Sequence, residues 1–579
     1  MGETVKNHLK KLLEQAVKEL RFSLPEVDMF VPDEKFGDYA TNVALIIGKK
    51  EKKNPKDVAK SVIDKISEMD SGSESGMTFD DVLEAGGFIN FKLSQNALLK
   101  NLADIHQHKE NYGSSNIGKG KKILVEYFQP NIAKPLHLGH LRTAIIGDCL
   151  FRLFKFTGFS PESDTHLGDW GTQFGLLVHA FKKYGDILVI EQDPINELNK
   201  LYIKINAEAE NDASVREQGK AEFVKLEQGD KENRELWKKF KDYSWQEFEI
   251  IYRDLGVRKS DHDWPESFFE DKMPAVLLEL KNKGLLKESQ GAQVVDLEEY
   301  KLGTALLVKS DGGTTYLLRD LATLIYRKQQ GFEKQYYVVD VRQSHTLKQT
   351  FKIIELLGYI NPGEAVHVSY GFLTLPQGAM STRKGTTVGA KEFIEDVQHR
   401  ALEIIEEKNR DLKNKEAVAK QVASGAIKYF DLSHNIKSDI VFDPKKAISF
   451  EGNTGPYLQY THARIHGILR KFQISNFKFQ INSKIQMPNI LNNHELSVLR
   501  KLHQFPEIVE QAAEDLQPNT IANYLFELSQ NFNAFYQEVP VLQEPDEQIK
   551  DFRLKLITGA AQVIKNGLLL LGIEAPEEM

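Results

Sequence analysis

The stretch NIAKPLHLGHLR, Asn131 to Arg142, sets two histidines, a lysine and a glycine where a strand gives way to a helix. Upstream, KKILVEY (121–127) is apolar and β-prone, and it predicts a buried strand. Downstream, Leu138, Leu141, Ile145, Cys149 and Leu153 recur at helical spacing and predict one apolar helix face. A strand feeding a helix N-terminus makes an anion site, because unpaired backbone N–H groups and the helix dipole point at the ligand. Gly139 has no side chain to keep a flat base off the backbone. His137 and His140, three apart, share one side of the first turn and are candidate donors to phosphate oxygens.

A chain of 579 residues exceeds one core and implies three or four domains. Its 41% hydrophobic and 27% charged content is that of an ordinary globular protein. The single cysteine, Cys149, lies on an apolar helix face and reads as a small buried hydrophobe. One cysteine rules out a disulfide framework or a Cys-based zinc site within the chain and suits a reducing compartment. No run of 18 apolar residues occurs, so no membrane span is expected. The first twenty residues form an amphipathic pattern carrying Glu3, Glu14 and Glu19 without arginine, which reads as a core-facing helix rather than a transit peptide. A cytoplasmic location is the expectation. A net charge of −8 neither supports nor excludes a nucleic-acid partner, and the basic run KKEKKNPKDVAK (49–60) reads as a solvated face.

Residues 1–112 read as a separate N-terminal α/β module with a strand in GGFINFKL (86–93), followed by the loop GSSNIGKG. From about 119 to 395, alternating strands and helices indicate a parallel doubly wound sheet, with later strands at YYVVDV (336–341) and 365–375. The charged stretch 195–265 reads as a helical insertion, and 446–579 as an all-α bundle. The expected architecture is therefore multidomain α/β: a Rossmann-type domain over 113–445, an N-terminal module and a C-terminal bundle. The segment TALLVKSDGGTTYLL predicts a hairpin turning at Asp311-Gly312-Gly313, with Tyr316 on the second strand and Asp320 in the first turn of a helix starting near Arg319.

Six further stretches accompany the first: FGDYATNVAL (36–45), THLGDWGTQFG (165–175), DGGTTYLLRDLATLIYR (311–327), MSTRKG (380–385), EGNTGPYLQYTHARI (451–465) and LLGIEAPEEM (570–579). In this order they resemble class I aminoacyl-tRNA synthetases, and among them the arginyl-tRNA synthetases, over essentially the whole chain. The resemblance implies an enzyme that activates L-arginine with ATP and Mg²⁺ and transfers it to the terminal ribose of tRNA(Arg), with tRNA needed for the first step. It implies a monomer, and no structural metal is expected. An unrelated nucleotidylyltransferase, or a non-enzymatic tRNA-binding paralogue, would be the rivals.

The resemblance also implies residue roles. ATP would be held by His137, Gly139, His140, Met380 and Ser381, with Arg383 and Lys384 adding charge. Where the general class pattern has a second lysine in Lys-Met-Ser-Lys-Ser, this chain has Thr382, and Lys134 stands ready to replace it as a point charge on phosphate. Arginine would meet Asp320, Tyr316 and Gln343 through its guanidinium, and Asn131, His140 and Glu126 at its other end. A carboxylate beside a phenol suits a planar guanidinium, which donates two parallel hydrogen bonds. tRNA would be touched by Phe88 and Asn90 in the N-terminal module and by Tyr457, Tyr536 and Met579 in the bundle, where Gln459, Tyr460, His462, Arg464 and Asn533 complete a cluster of base-stacking and phosphate-contacting types.

Overall fold

The computed structural model describes residues 4–23, 25–70, 79–376, 389–475 and 491–579. The N-terminal segment packs helices Val43–Glu51 and Pro55–Asp70 on an antiparallel sheet of β1 (Tyr39–Thr41), β2 (Phe79–Ala85) and β3 (Phe88–Leu93), with β3 in the middle. Val5–Glu19 lies on Pro55–Asp70, and Gln95–His108 packs instead on the later helices Asn493–Asp515 and Glu547–Leu570. Gly86 and Gly87, with φ of 64° and 87°, supply the left-handed pair that a two-residue β2–β3 hairpin needs. Thr4 and Ser94 cap their helices by accepting hydrogen bonds from the amides of Asn7 and Ala97.

The central sheet is wholly parallel. Its strands are β4 (Lys122–Glu126), β5 (Ser160–Asp164), β9 (Lys334–Asp340) and β10 (Ala365–Tyr370), in the spatial order β10-β9-β4-β5. The chain leaves β4 for β5 on one side and returns to β9 on the other, so the strand order reverses at β4. Such a reversal opens a crevice at the C-terminal strand ends, where ligands of open α/β sheets bind. Between β5 and β9 come the helices Thr172–Tyr184, Pro194–Asn211, Ala213–Glu227 and Lys231–Leu255, then a small antiparallel sheet of β6 (Leu286–Ser289), β7 (Ala292–Asp296) and β8 (Thr304–Val308). Strands β6 and β7 escape sequence reading because they are short, β6 is largely exposed and β7 buries only Val294 and Val295, so no apolar run marks them.

One expectation is corrected here. The turn at 311–313 is present, but only Val308 and Thr314 pair across it. The helix begins at Tyr316, not near Arg319. Leu317, Leu318 and Leu321 are all buried at helical spacing, and that burial outweighs the β-prone look of TTYLL. Tyr316 is thus the first helical residue, and Asp320 lies in the second turn. Beyond 389 the described chain is almost entirely helical, from Ala390–Lys408 and Lys415–Leu432 through Gly455–Ser475, Asn493–Asp515 and Asn519–Glu538 to Glu547–Leu570.

The helix Leu138–Phe156, called the signature helix below, lies at the centre of this arrangement, with fourteen of its residues buried. Arg142 is fully buried on it: Nη1 donates to the carbonyls of Gly371 (2.7 Å) and Phe372 (3.0 Å), Nη2 to that of Ile436 (3.1 Å), and Nε lies 3.2 Å from Asp431. A fixed five-donor fork suits this work, since it reaches three carbonyls and a carboxylate at once. Cys149 is buried as expected, and burial pushes its thiol up, which leaves it inert. Among the described residues no helix is long and apolar enough to cross a membrane.

The signature helix packs through Gly147 against Tyr127, the residue after β4: an added Cβ would stand 2.2 Å from Cβ and Cγ of Tyr127. Gly147→Ala should therefore destabilise the protein. Overpacking of about 1–3 kcal/mol or more outweighs a helix-propensity gain of about 1 kcal/mol. The check is the urea midpoint followed by far-UV circular dichroism, and an unchanged or raised midpoint would mean that the helix stands off Tyr127.

Candidate active site

The signature turn is built by its own backbone. His137 is the N-cap of the signature helix: its Nδ1 accepts from the Gly139 amide at 3.2 Å, and the His137 amide donates to Nδ1 of His140 at 3.1 Å. The two rings stack 3.8 Å apart at 20°. A nitrogen that accepts an N–H bond carries no proton, so both neutral rings hold their proton on Nε2. Burial lowers both pKa values, aided at His137 by Arg342 and at His140 by His137 and Lys134. Two neutral Nε2–H donors thus stand at a helix N-terminus. His137 also covers the face of Gly139, where an added Cβ would lie 3.0 Å from the ring.

The backbone entering this turn is held in uncommon conformations. Phe128 and Ala133 have φ of 62° and 59°, and Phe128 is fully buried between Phe248 and Tyr252. Left-handed backbone at a bulky residue persists only where its surroundings enforce it, as happens at functional sites. The loop containing HLGDWG is laced to the same turn: the Ile132 amide donates to the Gly168 carbonyl (3.1 Å) and the Gly168 amide to that of Pro130 (3.1 Å). Exposed Asn131 lies against Gly168, where a Cβ would come 2.1 Å from its Oδ1. Trp170 is buried against Phe223 and Trp237, so its role is packing. Half-buried Lys134 rests its ammonium 4.5 Å from the ring centre of Tyr202, on the helix Pro194–Asn211. The stretch with Met380, Ser381, Thr382, Arg383 and Lys384 lies outside the described residues. The first described residues beyond it return to the turn: Gly389 bridges His137, and the Ala390 amide donates to the Leu136 carbonyl at 2.9 Å.

Asp320 is partly exposed and, among the described residues, has no hydrogen-bond or ion-pair partner. Burial pushes its carboxyl up to about 7, with the charge of Glu126 adding and Arg319 and Arg327 opposing. Tyr316, one turn earlier, is 58% exposed. Gln343 is exposed just past β9. Glu126 differs from expectation. Assigned above to the other end of arginine, it ends the interior strand β4, is 5% exposed, and has both oxygens engaged, one by Arg327 and the other by Gln129 Nε2 at 3.1 Å.

Two residues here escaped the sequence reading. Arg327 is fully buried and pairs with Glu126 and with Asp164, the last residue of β5. Glu126, Asp164 and His166 are close enough to hold a cation, and Arg327 already bridges the two carboxylates. Glu266 has a buried Oε2 with no hydrogen-bond partner among the described residues, 3.6 Å from Nη1 of Arg319. Burial pushes it up to about 8, with Asp320 contributing and Arg319 opposing. In sequence, Arg327 looks like an ordinary cation of a last helical turn. Glu266 sits in a loop without periodicity, so neither carries a signal.

Of the RNA candidates, Phe88 meets Phe30 edge to face at 6.1 Å, and Phe30 and Phe36 are themselves exposed. Asn90 is only 5% exposed and donates to the Leu83 carbonyl at 3.4 Å. In the bundle, Asn533 donates to the Tyr457 hydroxyl (2.8 Å) and Arg464 lies 4.9 Å over the Tyr536 ring. Gln459 and His462 are buried and bind the carbonyls of Glu574 and Pro576, each at 2.8 Å, so they hold the C-terminal strap rather than face outward. Exposed Tyr460, with Arg464, Arg470 and Met579, borders a cavity of about 180 Å³.

A parallel sheet with a switch-point crevice and a neutral His-x-Gly-His turn at a helix N-terminus defines the nucleotide-binding domain of a class I synthetase. The family model "tRNA synthetases class I (R), catalytic domain" matches residues 101–444, "Arginyl tRNA synthetase N terminal domain" matches 4–93, and "DALR anticodon binding domain" matches 458–579. The chain is 43% identical to the arginine–tRNA ligase of Lactococcus lactis subsp. cremoris over 93% of each chain, and 40% identical to that of Clostridioides difficile over 99% of each. Thermus thermophilus arginyl-tRNA synthetase superposes with a TM-score of 0.83 at 26% identity, over 100% of both chains. The Plasmodium falciparum arginyl-tRNA synthetase gives 0.82 at 25%, over 100% of this chain and 99% of that one. The chain belongs to the arginyl-tRNA synthetases.

The tautomers are open to direct test. Nitrogen-15 spectra of histidine-labelled protein at pH 7 should show His137 and His140 neutral, with the proton on Nε2. A protonated Nδ1 on either ring would remove the capping geometry described above.

Proposed function

We propose that the chain is an arginine–tRNA ligase in which Asp320 receives the substrate guanidinium and the turn at 134–140 stabilises phosphate charge. The observation that carries this reading is a carboxylate with no hydrogen-bond or ion-pair partner among the described residues, one helical turn from an exposed phenol. Arginine, ATP with its Mg²⁺, and tRNA(Arg) are the substrates. In the first step a carboxylate oxygen of arginine attacks the α-phosphorus of ATP, the bond to pyrophosphate breaks, and arginyl-adenylate remains. In the second, a hydroxyl of the terminal tRNA ribose attacks the acyl carbon and AMP leaves.

Charge grows on the phosphorus oxygens and on pyrophosphate, so fixed N–H donors are worth most there. The Nε2–H groups of His137 and His140 and the N-terminus of the signature helix supply them, and Lys134 adds a point charge. Met380, Ser381, Arg383 and Lys384 are assigned to the same nucleotide, and Gly139 leaves room for the His137 ring that covers it. Tyr316, Asp320 and Gln343 select the side chain. Asn131 and His140 meet the amino and carboxylate groups, and Glu126 lends negative charge at that end. Phe88, backed by Phe30, offers an aromatic edge to tRNA, while the burial of Asn90 restricts it to a supporting part. Tyr457, Tyr536 and Met579 serve the anticodon loop. A cytoplasmic monomer fits this role.

The deciding assay is ATP–pyrophosphate exchange over a panel of amino acids, with and without tRNA. Exchange should depend on arginine, and exchange with another amino acid but not arginine would overturn the reading.

Two variants follow. The carboxyl of Asp320, at about 7, must be ionised to pair with a guanidinium. Below that pH it is protonated, so kcat/KM for arginine should fall as pH drops, by about tenfold per unit, while that for ATP does not share this limb. Asp320→Asn should remove the limb together with most arginine use, a loss of roughly 2–5 kcal/mol; unchanged arginine dependence would reduce Asp320 to a helix acid. Lys134→Ala should slow single-turnover activation at saturating tRNA by about 10²–10³ with little change in arginine or tRNA binding. Adding Thr382→Lys should recover part of the loss, and a rate within about twofold of wild type would assign the charge to Arg383 or Lys384 instead.

A further inference from the structure

Arg327 is the last buried cation of the helix Tyr316–Gln329, whose first two turns carry Tyr316 and Asp320. It lies seven residues beyond Asp320, which is two helical turns along the same face, about 10 Å. Its Nη1 donates to Glu126 and its Nη2 to Asp164, the terminal residues of the adjacent strands β4 and β5. The ring of Tyr337 on β9 lies 5.5 Å from the guanidinium carbon. Each carboxylate is further tied by its second oxygen, Glu126 to Gln129 Nε2 (3.1 Å) and Asp164 to the Trp264 amide (2.9 Å). The helix is thus pinned to three neighbouring strands at the end of the sheet where the crevice opens.

We infer that Arg327 is a positioning residue for arginine selection: by bridging Glu126 and Asp164 it sets the height of the helix bearing Asp320 and neutralises the strand-end carboxylates beside it. The inference deepens the proposed role of Asp320 and rests on it. Stability alone is a poor reason for this triad, because apolar groups of similar volume usually hold two elements together as well or better than a buried ion pair. A guanidinium does two things that an apolar residue does not. Its planar fork fixes both carboxylates in one geometry. Its charge also keeps Glu126 from acting undiluted on Asp320. The groups whose charge acts on or with Asp320 are Glu126 on β4, Tyr316, Arg319 and Arg327 on its own helix, Glu266 from the segment Glu266–Lys272, and Tyr337 on β9. Of the two cations, Arg319 is held by Glu266 and Glu270, which leaves Arg327 as the one bonded to Glu126.

The test compares Arg327→Lys and Arg327→Met in the full-length enzyme. Lysine keeps the charge but cannot bridge two carboxylates, and methionine removes both functions. Arginine KM should rise at least about tenfold in Arg327→Lys through misplacement of the receptor carboxylate, with ATP KM within about twofold. The acid limb of kcat/KM for arginine should move upward by about one pH unit, further in Arg327→Met. Thermal melting and circular dichroism check folding; if Arg327→Met does not fold, Arg327→Lys carries the test. An unchanged arginine KM and acid limb in Arg327→Lys would overturn the inference. So would equal losses for arginine and ATP, or failure of Arg327→Lys to fold, since either makes the residue merely structural. The two readings fail separately. If the wild-type limb is absent or survives Asp320→Asn, the role of Asp320 falls; if Asp320→Asn removes it and Arg327→Lys leaves it unmoved, only the role of Arg327 falls.

Discussion

A guanidinium buried between the ends of two adjacent parallel strands holds the crevice of this protein in shape. Arg327 joins Glu126 of β4 to Asp164 of β5, and β4 is the strand at which the order of the sheet reverses. Everything assigned to the site departs from that point. The backbone leaving β4 enters the strained turn at Phe128 and Ala133 and becomes the signature helix. The helix that Arg327 anchors carries Tyr316 and Asp320 to the mouth of the crevice. Removing one member of such a triad strands buried charge, at a cost of about 3–5 kcal/mol, so its parts are interdependent.

The site separates two electrostatic tasks. At the signature turn, desolvation and neighbouring cations keep both histidines neutral, and backbone amides fix their tautomers. They act as preorganised N–H donors and add no charge. At the other side, burial raises the proton affinity of both Asp320 and Glu266, with the charge of Glu126 adding at Asp320 and that of Asp320 adding at Glu266, and neither is closed off by a hydrogen bond among the described residues. A charged carboxylate in such a setting is costly without a partner, and the proposed guanidinium would supply one to Asp320, while Glu266 keeps Arg319. On the proposed assignment, substrate binding and the internal arginine use the same chemistry within one helix.

Local pattern made the strand at 121–127 and the signature helix legible, because each carries its own periodicity and each is buried as that periodicity implies. The same holds for SHTLKQTFKIIELLG (344–358), whose apolar spacing ends at a glycine: the helix Ser344–Leu357 closes on Gly358, whose φ of 80° is a left-handed cap. The start of the helix at Tyr316 was misread because a turn rich in glycine and threonine resembles a hairpin until the buried leucines are seen to follow helical spacing. Arg327 and Glu266 were invisible for a different reason: a buried charge is defined by its partners, and here those lie 201 and 163 residues away for Arg327. Gln459 and His462 show the converse, since residues suited to RNA instead bind the carbonyls of the C-terminal strap.

Arginine recognition by an initially part-protonated Asp320 has a thermodynamic signature that does not depend on turnover. If the carboxyl titrates near 7 in the free protein and is ionised when paired, binding arginine must release protons. Calorimetric titration with arginine in buffers of different ionisation enthalpy counts them. The account predicts release of about half a proton at pH 7, rising toward one at pH 6, and none from Asp320→Asn. Arginine binding with no proton release at either pH would contradict it.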